Sequence, residues 1–234
     1  MSDTYQYPEL EGPRFEIGID SDAYPSILLG APDAPEKIYG IGDPAAIKLG
    51  ISITGARKDT PYGRACARRF AEHAAKLGMT FVSGGARGIE TEVLTAAVDR
   101  GCPAVVVLGT GADVSYPTCN RNLFQKVIDS GGVVISEQAW GSSALRHPFM
   151  TRRRIIAQLA ALVLIVEAGR PSMTYGLADY ALRANHDVAA VPGPITSPAS
   201  EGTNQLILDG AQMIVDETSL AAAISIAFAA LEAR

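Results

Sequence analysis

Met79-Thr80-Phe81-Val82-Ser83-Gly84-Gly85-Ala86-Arg87-Gly88-Ile89 passes from a short apolar run through a glycine turn into a helical pattern. Five residues bounded by glycine suit a buried strand, and the pattern from Ile89 to Arg100 suits a helix closed by Gly101. Ala104–Leu108 is then a second apolar run, ending in Gly109-Thr110-Gly111-Ala112-Asp113. Strand, glycine turn, helix, strand is the signature of a parallel βαβ unit.

The same alternation extends in both directions. Upstream, Ile51–Thr54 is a strand ending at Gly55-Ala56-Arg57-Lys58. Pro61–Leu77 is an amphipathic helix with proline at its first position and Gly78 beyond its end. Downstream, the expected helices are Thr118–Ser130, Thr151 to about Ala160, Met173–Ala184, Asn204–Asp209 and Thr218–Leu231. The expected strands are Val133–Ser136, Leu162–Val166, Val188–Val191 and Gln212–Val215, with an irregular loop over Trp140–Pro148. Continuous apolar strands alternating with helices predict an α/β fold, a doubly wound and mostly parallel sheet of extended Rossmann-like type. Residues 51–234 form that domain. Residues 1–50 read as an N-terminal lead-in with little regular structure beyond a short strand near Lys37–Tyr39. The first dozen residues are expected to be disordered.

Composition narrows the function. No apolar run is long enough to span a membrane, and the polar, acidic start is no secretory signal, so a cytoplasmic protein is expected. Cys66, Cys102 and Cys119 have no metal or redox spacing and read as small buried hydrophobes. Net charge is −5, yet its distribution is uneven. Residues 52–154 hold 14 basic and 8 acidic side chains, while the flanking segments are both net acidic. A positive middle on an acidic body points to a local site for an anionic ligand.

The densest charge is Phe149-Met150-Thr151-Arg152-Arg153-Arg154-Ile155-Ile156-Ala157. With Thr151 as N-cap, three arginines fall in a first helical turn, where the helix dipole is already positive. A phosphate there would turn that penalty into an attraction. A solvated basic face with salt bridges is the plainer alternative. Glycine-bearing strand ends at Gly55, Gly84-Gly85 and Gly109/Gly111, with Arg57, Lys58 and Arg87, lie where α/β sheets bind ligands. Phe149 and Tyr116 are either core or stacking platforms for bases. Asp113, Glu137 and Glu167 at strand ends are expected to orient Arg152 or Arg154 rather than to do acid–base chemistry.

Several chemistries are excluded. There is no Gly-x-Gly-x-x-Gly dinucleotide turn, no P-loop and no Gly-x-Ser-x-Gly elbow. His73, His147 and His186 lack metal spacing or a nucleophile partner and read as surface or capping residues. Neither a catalytic residue, a metal nor a cofactor is expected.

The ordered set of motifs carries a resemblance. It comprises Tyr24-Pro25, Ala34-Pro35-Glu36-Lys37-Ile38-Tyr39, Thr54-Gly55-Ala56-Arg57 and Ser83–Ile89. It continues with Leu108–Asp113, Tyr116–Asn120, Phe149–Ala157, Val166-Glu167-Ala168 and Gly202–Ile207. In this order and spacing the chain resembles the DNA processing protein A (DprA, also called Smf) family over about residues 24–224. The resemblance implies a non-enzymatic cytoplasmic protein that binds single-stranded DNA, forms a homodimer and acts with a RecA-type recombinase. It assigns Arg57, Gly84 to Arg87, Gly109 to Gly111, Phe149, Arg152 and Arg154 to a basic pocket at the strand ends. Lys58 and Arg153 join these as basic neighbours. Here Met150 and Arg153 stand where the family usually has proline and asparagine. Glu90 stands for the usual aspartate, Leu94 for histidine, and Leu177 for threonine. The chain is expected to be a minimal core form. The competing readings are a nucleotide sensor, or an enzyme cleaving nucleotides at the glycosidic bond, and an interaction protein that has lost its ligand. Related nucleotide-cleaving folds need a glutamate where Leu177 stands.

Overall fold

Residues 104–107, 133–135 and 160–166 are apolar throughout, and such runs are stable only when both faces of the strand are covered. The computed structural model shows that arrangement. It describes residues 9–31, 33–172 and 174–233, with the side chain of Arg146 excepted. The strands are β1 Arg14–Gly18, β2 Lys37–Gly42, β3 Gly50–Gly55, β4 Phe81–Ser83, β5 Ala104–Val107, β6 Val133–Ser136, β7 Ala160–Glu167, β8 Asp187–Ala190 and β9 Gln212–Met213. The helices are α1 Ser26–Leu29, α2 Pro61–Lys76, α3 Ile89–Asp99, α4 Arg121–Asp129, α5 Arg146–Gln158, α6 Tyr175–Arg183, α7 Glu201–Leu208 and α8 Glu217–Glu232.

All nine strands join one sheet in the order β1-β2-β6-β5-β4-β3-β7-β8-β9. From β6 to β9 every pairing is parallel. Helices α2, α3, α4 and α8 cover one face, around Phe70, Leu94, Phe124 and Leu220. Helices α1, α5 and α6 cover the other, around Leu28, Ile155, Ile156 and Leu177. The direction of winding reverses between β3 and β7, so a crevice opens beyond their carboxyl ends.

The lead-in departs from expectation. Strand β1 pairs antiparallel with β2, and β2 antiparallel with β6, so residues 14–18 and 37–42 extend the sheet. Phe15 and Ile17 alternate with Arg14 and Glu16, the period of a strand with one covered face. Gly40 makes the pairing possible, because a Cβ there would collide with the Phe15 ring. Of the dozen residues expected to be disordered, 1–8 lie outside the described residues. Leu10 is buried, and Glu11 exchanges hydrogen bonds with Gln125.

The second departure is the start of α5. The loop assigned to 140–148 ends early, because the helix begins at Arg146 and takes in Pro148. Proline is tolerated in a first turn, whose N–H groups have no intrahelical acceptor. Thr151 is therefore not the N-cap. Its hydroxyl donates to Glu137 Oε1 at 3.1 Å and to the Pro148 carbonyl at 3.3 Å. Arg152, Arg153 and Arg154 sit beyond the first turn, where the dipole penalty has faded. Position on the helix face, rather than the helix end, sets what each arginine meets.

Candidate nucleic-acid interface

Four positions on α5 share one face: Phe149, Arg152, Arg153 and Ile156 follow the i, i+3, i+4, i+7 spacing. All four line a small chamber of about 60 Å³ at the ends of β3 and β4. Beside it lies a larger cleft of about 330 Å³, walled by Arg57, Lys58, Ala86, Arg87, Tyr116, Pro117, Phe149 and Arg152. Arg57, Ala86, Phe149 and Arg152 border both.

Arg152 is the centre of the site. It is 6% exposed, and its Nη1 donates to the carbonyls of Gly84 at 2.8 Å and Val107 at 3.0 Å. Its guanidinium lies 4.9 Å from the centre of the Phe149 ring. Burial pulls its pKa down to about 10, with Glu90 opposing and the nearby Arg57 and Arg153 adding to the fall. At neutral pH it remains charged. Arg153 is half-buried, and burial and then Arg57 lower its pKa too. Neither Arg152 nor Arg153 has an ion-pair partner among the described residues. A cation taken out of water without a carboxylate partner favours a negatively charged ligand.

The aromatic side of the cleft is Tyr116 against Phe149, edge to face with centroids 5.0 Å apart. Tyr116 is 41% exposed, so this pair is not core. It offers π surface beside the cations, as base stacking requires.

The turn from Gly84 to Gly88 is held from two sides. Gly85 and Gly88 have φ of 66° and 76°, which glycine adopts without strain. Glu90 accepts from Ala86 N at 2.8 Å, from Thr54 Oγ1 at 2.7 Å and from Ser83 Oγ at 3.3 Å. Asn120, just before α4, donates to the carbonyls of Gly85 and Ala86 and to Thr91 Oγ1. Asn120 carries no local signal of this role, because its partners lie about thirty residues away in sequence.

The structure divides the residues singled out in the sequence. Arg57, Lys58, Arg87, Phe149, Arg152 and Arg153 come together around the two cavities. Gly84 and Gly85 stand behind the wall: Gly84 supplies a carbonyl to Arg152, and Gly85 packs on Phe124. Gly109 and Gly111 line neither cavity. A Cβ on Gly109 would press on the Phe149 backbone, and one on Gly111 on Asp113 and the Ala139 carbonyl, so both serve internal packing. Arg154 turns away from the cleft. It pairs with Glu137 and donates through Nε to the Asp33 carbonyl at 2.7 Å. Burial lowers the pKa of Arg154, but the Glu137 carboxylate outweighs that and raises it.

Of the three strand-end carboxylates, Glu137 alone orients an arginine. Asp113 accepts from Gly141 N, and buried Glu167 accepts from Thr60 N at 2.9 Å and Thr60 Oγ1 at 2.6 Å. His186 is buried against the Ala157 carbonyl near the end of α5, and His147 is exposed.

This fold and site have relatives. A family model described as DNA recombination-mediator protein A matches residues 16–225. The chain belongs to this family. The Escherichia coli (strain K12) protein Smf is 34% identical over 209 residues, covering 88% of this chain and 56% of that protein. The chain thus spans about half the length of the first curated relatives it matches. The X-ray structure of DNA processing protein A from Streptococcus pneumoniae superposes with a TM-score of 0.81 at 31% identity, over 91% of this chain and 74% of that one. The protein of that name from Helicobacter pylori superposes with a TM-score of 0.79 at 26% identity, over 91% and 96% of the two chains. The latter structure is described as showing a single-stranded DNA binding mode. As a DprA/Smf family member, the chain has an α/β sheet of the expected mostly parallel, Rossmann-like kind.

Proposed function

We propose that this protein binds single-stranded DNA in the cleft between the β4–α3 turn and α5, and that it mediates recombination without chemistry on the strand. The observation that carries this reading is Arg152, a buried cation with no ion-pair partner among the described residues. It lies against the face of Phe149 at the border of both cavities. Arg57, Lys58 and Arg87 add exposed cations for successive phosphates, and Tyr116 with Phe149 adds a stacking surface. Family membership and the Helicobacter pylori relative support the same ligand. The proposed contact set is Arg57, Lys58, Arg87, Phe149, Arg152 and Arg153, with Gly84 and Gly85 shaping the wall. Arg154, Gly109 and Gly111 support it from behind.

A cytoplasmic setting, a homodimer and a RecA-type recombinase as partner belong to this reading and rest on family membership. No described helix is long and apolar enough to cross a membrane. Exposed Leu208, Met213 and Val215, around the edge strand β9, offer apolar surface for a second copy. Light scattering of the purified chain tests the dimer.

The ligand is tested by fluorescence anisotropy with labelled oligonucleotides across a salt series. Single strands should bind, with log affinity falling by about 0.7 per phosphate contacted for each tenfold rise in salt. Salt-independent binding, or binding unchanged in Arg152→Ala, would refute the proposal.

A further inference from the structure

The chamber beside the cleft has a composition of its own. Arg57, Arg152, Arg153 and Glu90 are the ionisable groups on its wall, so three cations face one carboxylate and the net charge is +2. Glu90 spends its acceptors on Thr54, Ser83 and the Ala86 amide. It therefore claims none of the arginines' donors, of which Arg153 Nη2 reaches the Met150 sulfur at 3.3 Å, and it stays hydrogen-bonded within the wall. Arg152 gives one of its nitrogens to two backbone carbonyls. The Arg153 guanidinium rests on Gly176, at the start of α6, where a Cβ would collide with it. The remaining walls are buried Ile156 and Leu177, with the hydroxyls of Thr54 and Thr174.

Size matters as much as charge. At about 60 Å³ the chamber suits a small anionic group better than a whole nucleoside. It adjoins the cleft across Arg57, Ala86, Phe149 and Arg152. An internal phosphodiester carries one negative charge and needs chain on both sides. A phosphomonoester carries about −1.5 to −2 at neutral pH and needs chain on one side only. Both the charge of the chamber and its dimensions match the second group.

We infer that the chamber lined by Arg57, Arg152 and Arg153 is a phosphomonoester site, so that a strand lying in the cleft is bound by its phosphorylated end. This rests on the strand-binding reading given above and adds end recognition to it. The same chemistry is presented by a 5′-phosphate, a 3′-phosphate or a free nucleoside monophosphate. The cleft, which is several times larger than the chamber and carries the aromatic pair, favours the strand as the source.

The test is anisotropy with one oligonucleotide sequence in four forms: 5′-phosphorylated, 3′-phosphorylated, hydroxyl at both ends, and circular. Deoxyadenosine monophosphate serves as competitor. One phosphorylated end should bind about tenfold tighter than the hydroxyl-ended and circular forms, the worth of one charge-assisted hydrogen bond. That ratio should fall from pH 7.5 to pH 5.5, because the monoester gives up its second charge near pH 6. It should move towards one in Arg153→Asn. Equal affinity for all four forms would overturn end recognition and leave strand binding standing. No affinity for any form would overturn strand binding itself. Displacement of every strand by the free mononucleotide at equal concentration would overturn the assignment to a strand end.

Discussion

Arg154 and Glu137 form a two-pronged ion pair, Nη1 to Oε1 at 2.9 Å and Nη2 to Oε2 at 2.5 Å, with both side chains only 16% exposed. The pair faces the lead-in segment, not the cleft, so a cluster of three consecutive arginines serves two different surfaces. Removing one partner strands the other in a partly buried position. Arg154→Ala should therefore lower unfolding free energy by roughly 2–4 kcal/mol, towards the range for broken buried pairs. Strand affinity of the folded variant should change less than threefold. Urea melts and anisotropy on the same sample check both halves.

Arg152 and Arg153 carry the opposite expectation. Arg152→Ala should weaken single-strand binding by roughly one to two orders of magnitude, as the loss of a desolvated charge-assisted contact does. Arg153→Ala should weaken it by less. Arg57→Ala, Lys58→Ala and Arg87→Ala should each reduce the slope of log affinity against log salt by about 0.7. Equal effects at 152, 153 and 154 in a salt titration would mean a diffuse basic patch.

The edge-to-face pair of Tyr116 and Phe149 predicts a second kind of loss. Phe149→Ala and Tyr116→Ala should each cost roughly 1–3 kcal/mol of binding, the worth of one stacked base, with the salt slope unchanged. Phe149→Tyr and Tyr116→Phe should retain most of it. Isothermal titration at two salt concentrations separates this from an electrostatic effect.

Stability at acid pH should report on a contact far from the cleft. Arg69 on α2 grips Glu217 in the first turn of α8 through both carboxylate oxygens. Those hydrogen bonds hold the Glu217 carboxyl down at about 2, from an ordinary value of 4.5. A carboxyl depressed in the folded state adds stability above its unfolded value and loses that contribution as pH falls through the folded one. The gain from Glu217 is thus present above pH 4.5 and disappears towards pH 2. In Arg69→Ala the decline of stability between pH 5 and pH 2 should be shallower than in the parent. Urea midpoints at half-unit pH steps measure it, and identical profiles would count against the contact.

The parallel strands were legible because burial on both faces demands apolar runs, and Val133–Ile135 shows that demand with Gly131-Gly132 just before it to mark its start. Strand β1 was not, because its five residues mix Arg14 and Glu16 with Phe15 and Ile17. Its partner in pairing, Gly40, is distant in sequence. The start of α5 was misplaced because Pro148 looks like a stop until it is seen inside a first turn. Starting five residues earlier than expected, the helix carries its arginines past the first turn, and the step of about 100° between neighbours sends Arg154 to a different surface from Arg152 and Arg153. Arg57 and Arg87 could be grouped from their strand ends alone. The roles of Asn120 and Glu90 in holding the turn depend on tertiary approach, which no local pattern encodes.

The turn pinned by Glu90 and Asn120 has a consequence for kinetics. The Ala86 amide and the Gly85 and Ala86 carbonyls are already committed, so this part of the wall has little freedom to give up when a ligand arrives. A wall already held in place admits its ligand at a rate set mainly by diffusion and charge, and releases it at a rate set by the contacts. Variants of the cleft should accordingly differ in residence time far more than in association rate. The strand binding proposed above would be well served by such a rigid surface.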